Sequence, residues 1–284
     1  MSAASRGSCL RLALVAVLLA APPARGWGFA AHRMIEEEAI ETLSEPLRAY
    51  FREHREEISD GSIEPDTVLR ARDGAREASR HFIDLDLYGA PPFADLPRSY
   101  RAAVDRFGRR AVVERGTLPW TIEQKHAELR REMREGRWPQ ALRTAAHAGH
   151  YVADATMPLH AVSNYDGRRT GNAGIHKAVE HDLVDERIAR FRTRVRARQR
   201  PATAADYGRE RVFAVIFESF AAAPELLDAD RRARRLGAVG SPAYVESLDD
   251  RLGALLAARL ARAVDLLGGF WQSAWEEAGR PVPR

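Results

Sequence analysis

The chain has 284 residues, 44 basic against 40 acidic, and one cysteine, Cys9. Three of the basic residues, Arg6, Arg11 and Arg25, fall in the first 26 positions, where there is no acid, so the remainder is balanced to within one charge. The basic total is therefore no argument for nucleic-acid or membrane binding, and a lone cysteine excludes a disulfide framework.

Residues 1–26 read as a secretory signal peptide. Arg6 and Arg11 give a basic start, LALVAVLLAA an apolar run, and Ala24 and Gly26 small residues before a cut that frees Trp27. The run is too short to span a bilayer. The mature protein, 27–284, is then secreted or periplasmic and loses Cys9, so its core or a bound metal must hold the fold.

From there the periodicity is helical. HRMIEEEAIETL and PLRAYFREHREEI predict the first two helices, with Pro46 opening the second. A loop-rich stretch runs from 60 to about 97, punctuated by glycine and proline. RSYRAAVDRFGRRAVV, TIEQKHAELRREM and PQALRTAAHAGHYVADA predict three more helices. A second long loop, MPLHAVSNYDGRRTGNAG, precedes the helix IHKAVEHDLVDERIARF and long helices over about 205–236 and 242–277. No run alternates like a strand. The fold class is all-α, a single helical domain with two long loops. Long loops in helical domains usually carry function.

HYVADATMPLH sets His150 and Asp154 four apart, hence on one helix face, and His160 just beyond the helix-ending Pro158. Imidazole and carboxylate are ligand types that zinc prefers. A histidine bonded to an aspartate in a core gives the same pattern. Further candidates accompany it. HKAVE gives His176 and Glu180, HFID gives His81 after a loop holding Asp66, and WGFAAH gives His32 five residues after Trp27.

The motifs WGFAAH, EPD, HFIDLD, HYVADATMPLHA and GIHKAVE, in this order, resemble the zinc-dependent phospholipase C and single-strand-specific nuclease superfamily. The likeness runs from 27 to about 180, and loosely beyond. Asp66 to His81 is fifteen residues, His150 to Asp154 four, Asp154 to His160 six, and His176 to Glu180 four.

The resemblance implies an all-α fold holding three zinc ions. Asp66, His81, His150 and Asp154 would bind one, and His160, His176 and Glu180 a second. Trp27, through its amino group and carbonyl, would bind the third with His32, and Asp154 would bridge the first and third. An α-amino group with a pKa of about 7.7–8.0 deprotonates readily enough to coordinate near neutrality, but it exists at Trp27 only after cleavage. The implied reaction is phosphodiester hydrolysis by a zinc-bound hydroxide. Asp66 is the candidate to orient or deprotonate the water, and Asp154 the bridging catalytic carboxylate.

Other residues read more plainly. His147 reads as packing or support for the ligands, His181 as pointing away from Glu180, and His54 and His126 as surface helix residues. The arginine-rich 190–200 reads as a solvated helix end, or as a lip meeting anionic substrate. Phe82 and Asp84 follow His81 as base-holding residues do in the nucleases, yet the phospholipases have a similar pattern.

Ala30, Thr67 and Ala78 stand where choline-specific phospholipases carry acidic or aromatic groups. Leu69 stands where the nucleases carry arginine, with Arg70 one later. The sixteen-residue gap from His160 to His176, Glu180, and the lack of cysteine favour the phospholipase branch. The expected substrate is a phospholipid, with peripheral membrane contact. The alternative is single-stranded nucleic acid or a nucleotide, cut by a nuclease with 3′-nucleotidase activity. A non-catalytic zinc-binding protein, its cleft blocked by YGAPPFADLPRSY, is a third reading. Nothing marks a protein partner, and a monomer is expected.

Overall fold

The three-and-four spacing of apolar residues is realised as helix along nearly the whole chain, with no strand among the described residues. The computed structural model describes residues 27–284. The segment read as a signal peptide, 1–26, lies outside the described residues.

In chain order the helices are α1 (Phe29–Thr42), α2 (Leu47–Glu53), α3 (Arg55–Gly61), α4 (Arg70–Asp73), α5 (Ala75–Ala78), α6 (Tyr100–Phe107) and α7 (Arg109–Glu114). Then come α8 (Leu118–Arg134), α9 (Trp138–Asp154), α10 (Ile175–Lys177), α11 (Ile188–Arg196), α12 (Arg209–Ala233) and α13 (Pro242–Glu277). Two π-helical stretches, Pro65–Leu69 and Ala178–Asp185, and several 3-10 turns join them.

The 36-residue α13 is the spine, about 54 Å long at 1.5 Å per residue. Ser241 caps it by accepting from the Tyr244 N–H, and Pro242 occupies its first turn. It packs against α1, α8, α9, α11 and α12. Leu252, Leu256, Leu260, Leu267, Phe270 and Trp271 bury its apolar face. Arg259 interrupts that face and is 6% exposed. It donates to Thr156 O at 3.0 Å, Val215 O at 2.9 Å and Ser219 Oγ at 2.7 Å, and pairs with Glu218. It therefore ties α13 and α12 to the turn that ends α9. Helices α8 and α9 form a hairpin that closes at Gly136.

Several predicted elements are subdivided. The helix expected over 46–58 breaks at His54, which leaves helical geometry at φ −101°, ψ 21°. The one expected over 98–113 breaks at Gly108, whose φ of 81° suits glycine. The stretch read as loop from 60 to 97 is partly helical, through the end of α3, the π-turn, α4 and α5. The helix expected over 175–191 is wound as π-helix over Ala178–Asp185, with a break before α11.

The arginine-rich run is paired rather than simply solvated. Arg196 meets the buried Glu38 at 2.9 and 3.0 Å, and Arg192 meets Glu37 at 2.7 Å. Arg187, Arg190 and Arg194 surround the buried Asp249. These arginines supply the counter-charge that a buried carboxylate requires.

Candidate metal centre

The last turn of α9 carries His150 and Asp154 on one face, both fully buried. Beyond Asp154 the chain turns through the 3-10 segment Pro158–Ala161, which carries His160. From α1, His32 stacks on His150 with ring centroids 4.0 Å apart. His81 begins an extended stretch held from two sides. Ile83 N donates to His160 O at 2.9 Å, Asp84 N to Arg115 O at 2.8 Å, and Leu118 N to Phe82 O at 3.2 Å. That closeness depends on Gly116, whose φ is 90° and where a Cβ would overlap the Phe82 carbonyl.

Three groups of side chains could hold metal ions: His32, His150 and Asp154; Asp66, His81 and His150; and His160, His176 and Glu180, with ligand atoms within 4.8 Å of one another in each. Asp154 is central. Its Oδ2 lies 3.0 Å from His81 Nδ1 and 3.4 Å from His150 Nε2, and its Oδ1 lies 3.8 Å from His32 Nε2 and 3.7 Å from His160 Nδ1. His176 Nε2 is 2.7 Å from Glu180 Oε1 and 3.1 Å from His160 Nε2.

Outer partners orient the rings. His150 Nδ1 donates to Ser62 O at 2.8 Å, and His160 Nδ1 to His81 O at 2.6 Å. A carbonyl only accepts, so each outer nitrogen carries the proton and each Nε2 presents a lone pair. His81 is reversed: Nε2 lies 3.4 Å from Glu77 Oε1, and Nδ1 faces the centre. Glu77 is buried and held by the Tyr151 hydroxyl and by Arg80 at 3.0 Å. Ligand histidines are commonly fixed by such outer acceptors.

The interior side is under-satisfied. Both ring nitrogens of His32, Asp66 Oδ2, Asp154 Oδ1 and Glu180 Oε1 are buried without a hydrogen-bond partner. Each such atom costs about 1–3 kcal/mol. A cation among them would supply the missing partner, and a set of imidazoles and carboxylates fits one.

Without a cation, burial raises the Asp154 and Glu180 carboxyls, helped by neighbouring acids. Burial likewise lowers His32, His81, His150 and His176. At Asp66 burial pushes upward, but His150, His81 and Arg70 together outweigh it and hold the carboxyl below its usual range.

Trp27 is fully buried, and its indole N–H reaches Ala153 O at 3.0 Å and Thr156 Oγ1 at 3.1 Å. The indole thus anchors the chain beside Asp154 and leaves the ligand groups to other side chains. Every other predicted ligand falls in one of the three groups. His147 is no ligand in them, and its Nε2 lies 2.7 Å from Glu64, just before the Asp66 turn. The surface reading of His126 is wrong. It is buried, 3.1 Å from Ser273 Oγ, and burial pushes it down to about 4.

Glu77, Tyr151 and Ser62 escaped the sequence reading, and Arg70 was noted there only as displaced by one position. Arg70 reaches Asp66 Oδ1 at 2.9 Å. In the π-turn Leu69 N bonds Glu64 O, five residues back, and the wider turn brings position i+4 over Asp66. Both Arg70 and Glu77 stand four residues from a ligand, a spacing visible in the sequence.

A cavity of about 330 Å³ opens beside the ligands, lined in part by Arg70, His81, Phe82, Asp84, His160 and Tyr165. A larger cavity, about 570 Å³, lies around His126 and Tyr207. Its charged groups are paired: Arg209 with Glu123, Glu277 with Arg130, and Glu276 with Arg280. The smaller cavity is the functional candidate because only it touches the ligands. A scan of family models finds no match to this chain, and neither does a search of curated proteins.

Proposed function

We propose that this chain is a zinc-dependent phosphoric diester hydrolase of the phospholipase C type. One observation carries this reading: three adjoining groups of candidate ligands hold orphaned inward atoms, and His81, His160 and His176, from two of those groups, line a cavity that also presents an arginine. Asp66, His81, His150 and Asp154 would hold one ion, His160, His176 and Glu180 a second, and Trp27, His32 and Asp154 a third. Bound zinc supplies an acidified water and neutralises charge on phosphoryl oxygens.

The remaining roles belong to the chain. Asp66, kept ionised by the Arg70 guanidinium beside it, accepts the proton from the attacking water. Arg70, fixed by Asp66 at the cavity wall, meets a phosphoryl oxygen. Glu77 and Ser62 keep His81 and His150 turned inward.

A second reading, nuclease action with 3′-nucleotidase activity, gains from Arg70. The π-turn removes the objection raised by Leu69, because the arginine one residue later reaches Asp66. Phe82 and Asp84 give that cavity a ring face and a polar group suited to a base. The non-catalytic reading loses only its suggested plug. The segment 88–100 does not line the cavity, and Tyr88, Phe93 and Leu96 are buried in the core.

The test uses protein beginning at Trp27, zinc-loaded, given mixed phospholipid vesicles or single-stranded DNA, each with a chelator control. Chelator-sensitive diacylglycerol supports the first reading, and nucleotides ending in 5′-phosphate the second. Asp66→Asn should abolish either activity while leaving the helical spectrum intact. Zinc binding without any hydrolysis would overturn the enzyme assignment.

A further inference from the structure

Glu36 is a buried acid that the proposed chemistry does not use. It lies on α1, is 1% exposed, and neither carboxyl oxygen has a hydrogen-bond partner. Such burial is costly for an ionisable group and calls for a partner. One helical turn earlier, His32 is buried with both ring nitrogens unpartnered. Residues four apart share a helix face, and this face packs against α9, where His32 stacks on His150.

The neighbouring helix makes room for the carboxyl. At Gly149, the residue before His150, a Cβ would overlap Glu36 Oε1. Any side chain there would compete with the acid for the same space, within the α1–α9 contact that holds the His32 ring.

His32 also differs from its neighbours. His150 and His160 each donate an outer N–H to a carbonyl, Ser62 O and His81 O, and His81 Nε2 has Glu77 Oε1 at 3.4 Å, although without a hydrogen bond. If His32 gives one nitrogen to a metal, the other carries a proton and needs an acceptor. The unpartnered Glu36 carboxyl on the next turn is the available group; burial raises its pKa, and its carbonyl oxygen accepts in either protonation state. We propose that Glu36 is a positioning residue for the metal centre, accepting the outer N–H of His32 and so fixing that ring for coordination, with Gly149 reserving its space. The contact requires the Glu36 carboxyl to turn from its present position beside Gly149, in which neither oxygen has a partner. This rests on the metal reading above and concerns the ion that His32 serves.

The experiment measures zinc stoichiometry and stepwise affinity against a competing chromophoric chelator. It compares protein beginning at Trp27 with Glu36→Gln, Glu36→Leu, Gly149→Ala and the Gly149→Ala/Glu36→Leu double variant. Cobalt absorption spectra report coordination at the same sites, and far-UV circular dichroism checks the fold. Glu36→Leu should weaken the His32-served ion about 10–100-fold and alter its cobalt spectrum. The ion held by His160, His176 and Glu180 should be unaffected. Glu36→Gln, which keeps an accepting oxygen, should restore part of the loss and carries the test if the leucine variant misfolds. Gly149→Ala should reproduce the loss, and the double variant should add little to Glu36→Leu. Unchanged affinities and spectra in both Glu36 variants would overturn the positioning role, as would equal weakening of every ion. Failure of the parent to bind zinc would overturn the metal reading itself, so the two failures are distinguishable.

Discussion

Asp84 offers a pH-dependent test of the substrate cavity. Burial raises its carboxyl from 3.8 to about 7, Asp86 adds to the rise, and Arg169 opposes it. The folded chain therefore keeps a proton that the unfolded chain releases from pH 3.8 upward. The stabilisation is complete below 3.8 and is lost as pH rises through about 7. A shift of this size corresponds to about 4 kcal/mol, and partial exposure of the side chain reduces it to about 2–3 kcal/mol. Asp84→Asn keeps the shape and removes the titration. Between about pH 4 and about pH 8 in metal-free protein, the parent should lose about 2–3 kcal/mol more than the variant in urea unfolding. Catalysis should show the same group. Once ionised, Asp84 faces an anionic phosphate ester, so with rising pH the parent's KM should climb while that of the variant stays flat. Parallel stability curves and parallel KM profiles would refute this account of the cavity.

Other perturbations separate structural from chemical roles. Arg259→Met strands the Thr156 and Val215 carbonyls and should cost about 3–5 kcal/mol in urea unfolding, while the zinc content of the folded fraction is unchanged. Extra residues before Trp27 remove its α-amino group. Metal analysis of such a protein should therefore find one zinc fewer than in protein beginning at Trp27, and equal content would rule out coordination by the terminus. His126 is lowered from 6.5 to about 4 by burial. Its stabilisation is present above 6.5 and lost as pH falls toward 4, up to about 3 kcal/mol, so His126→Gln should flatten acid unfolding over that range.

Two pairs of candidate ligands, His150 with Asp154 and His176 with Glu180, were legible in the sequence because each stands one helical turn apart, whereas His32, Asp66, His81 and His160 joined them as a set only through the resemblance. Each pair is a local signal that needs no tertiary information. Glu77 and Ser62 were not legible as supports, because their value depends on rings far away in the chain. Glu77 acts on His81 through a short helix inside a stretch read as loop, and Ser62 acts through its carbonyl, which no residue type advertises. His126 was misread for a similar reason. Its flanking charges suggest an exposed face, but Tyr207 stacks over its ring and Phe270 meets its edge.

Arg70 exposes a subtler limit. Comparing residues by position in aligned motifs assumes a constant number of residues per turn. The π-turn at Pro65–Leu69 breaks that assumption, since its hydrogen bonds span five residues rather than four. Leu69 is buried in the core, and Arg70 pairs with Asp66. A motif displaced by one residue can therefore preserve a side-chain position in space when the intervening turn has widened by one. The same reasoning applies to Glu180, three positions into the second π-helical stretch, whose carboxylate still meets His176. Both stretches carry inward-facing carboxylates, and nearly every other ligand comes from regular α-helix, a 3-10 turn or an extended strand-like segment. Bringing groups with such different backbones to one point requires turns of more than one pitch, which is the physical reason the irregular helices of this fold lie beside its candidate metal ligands.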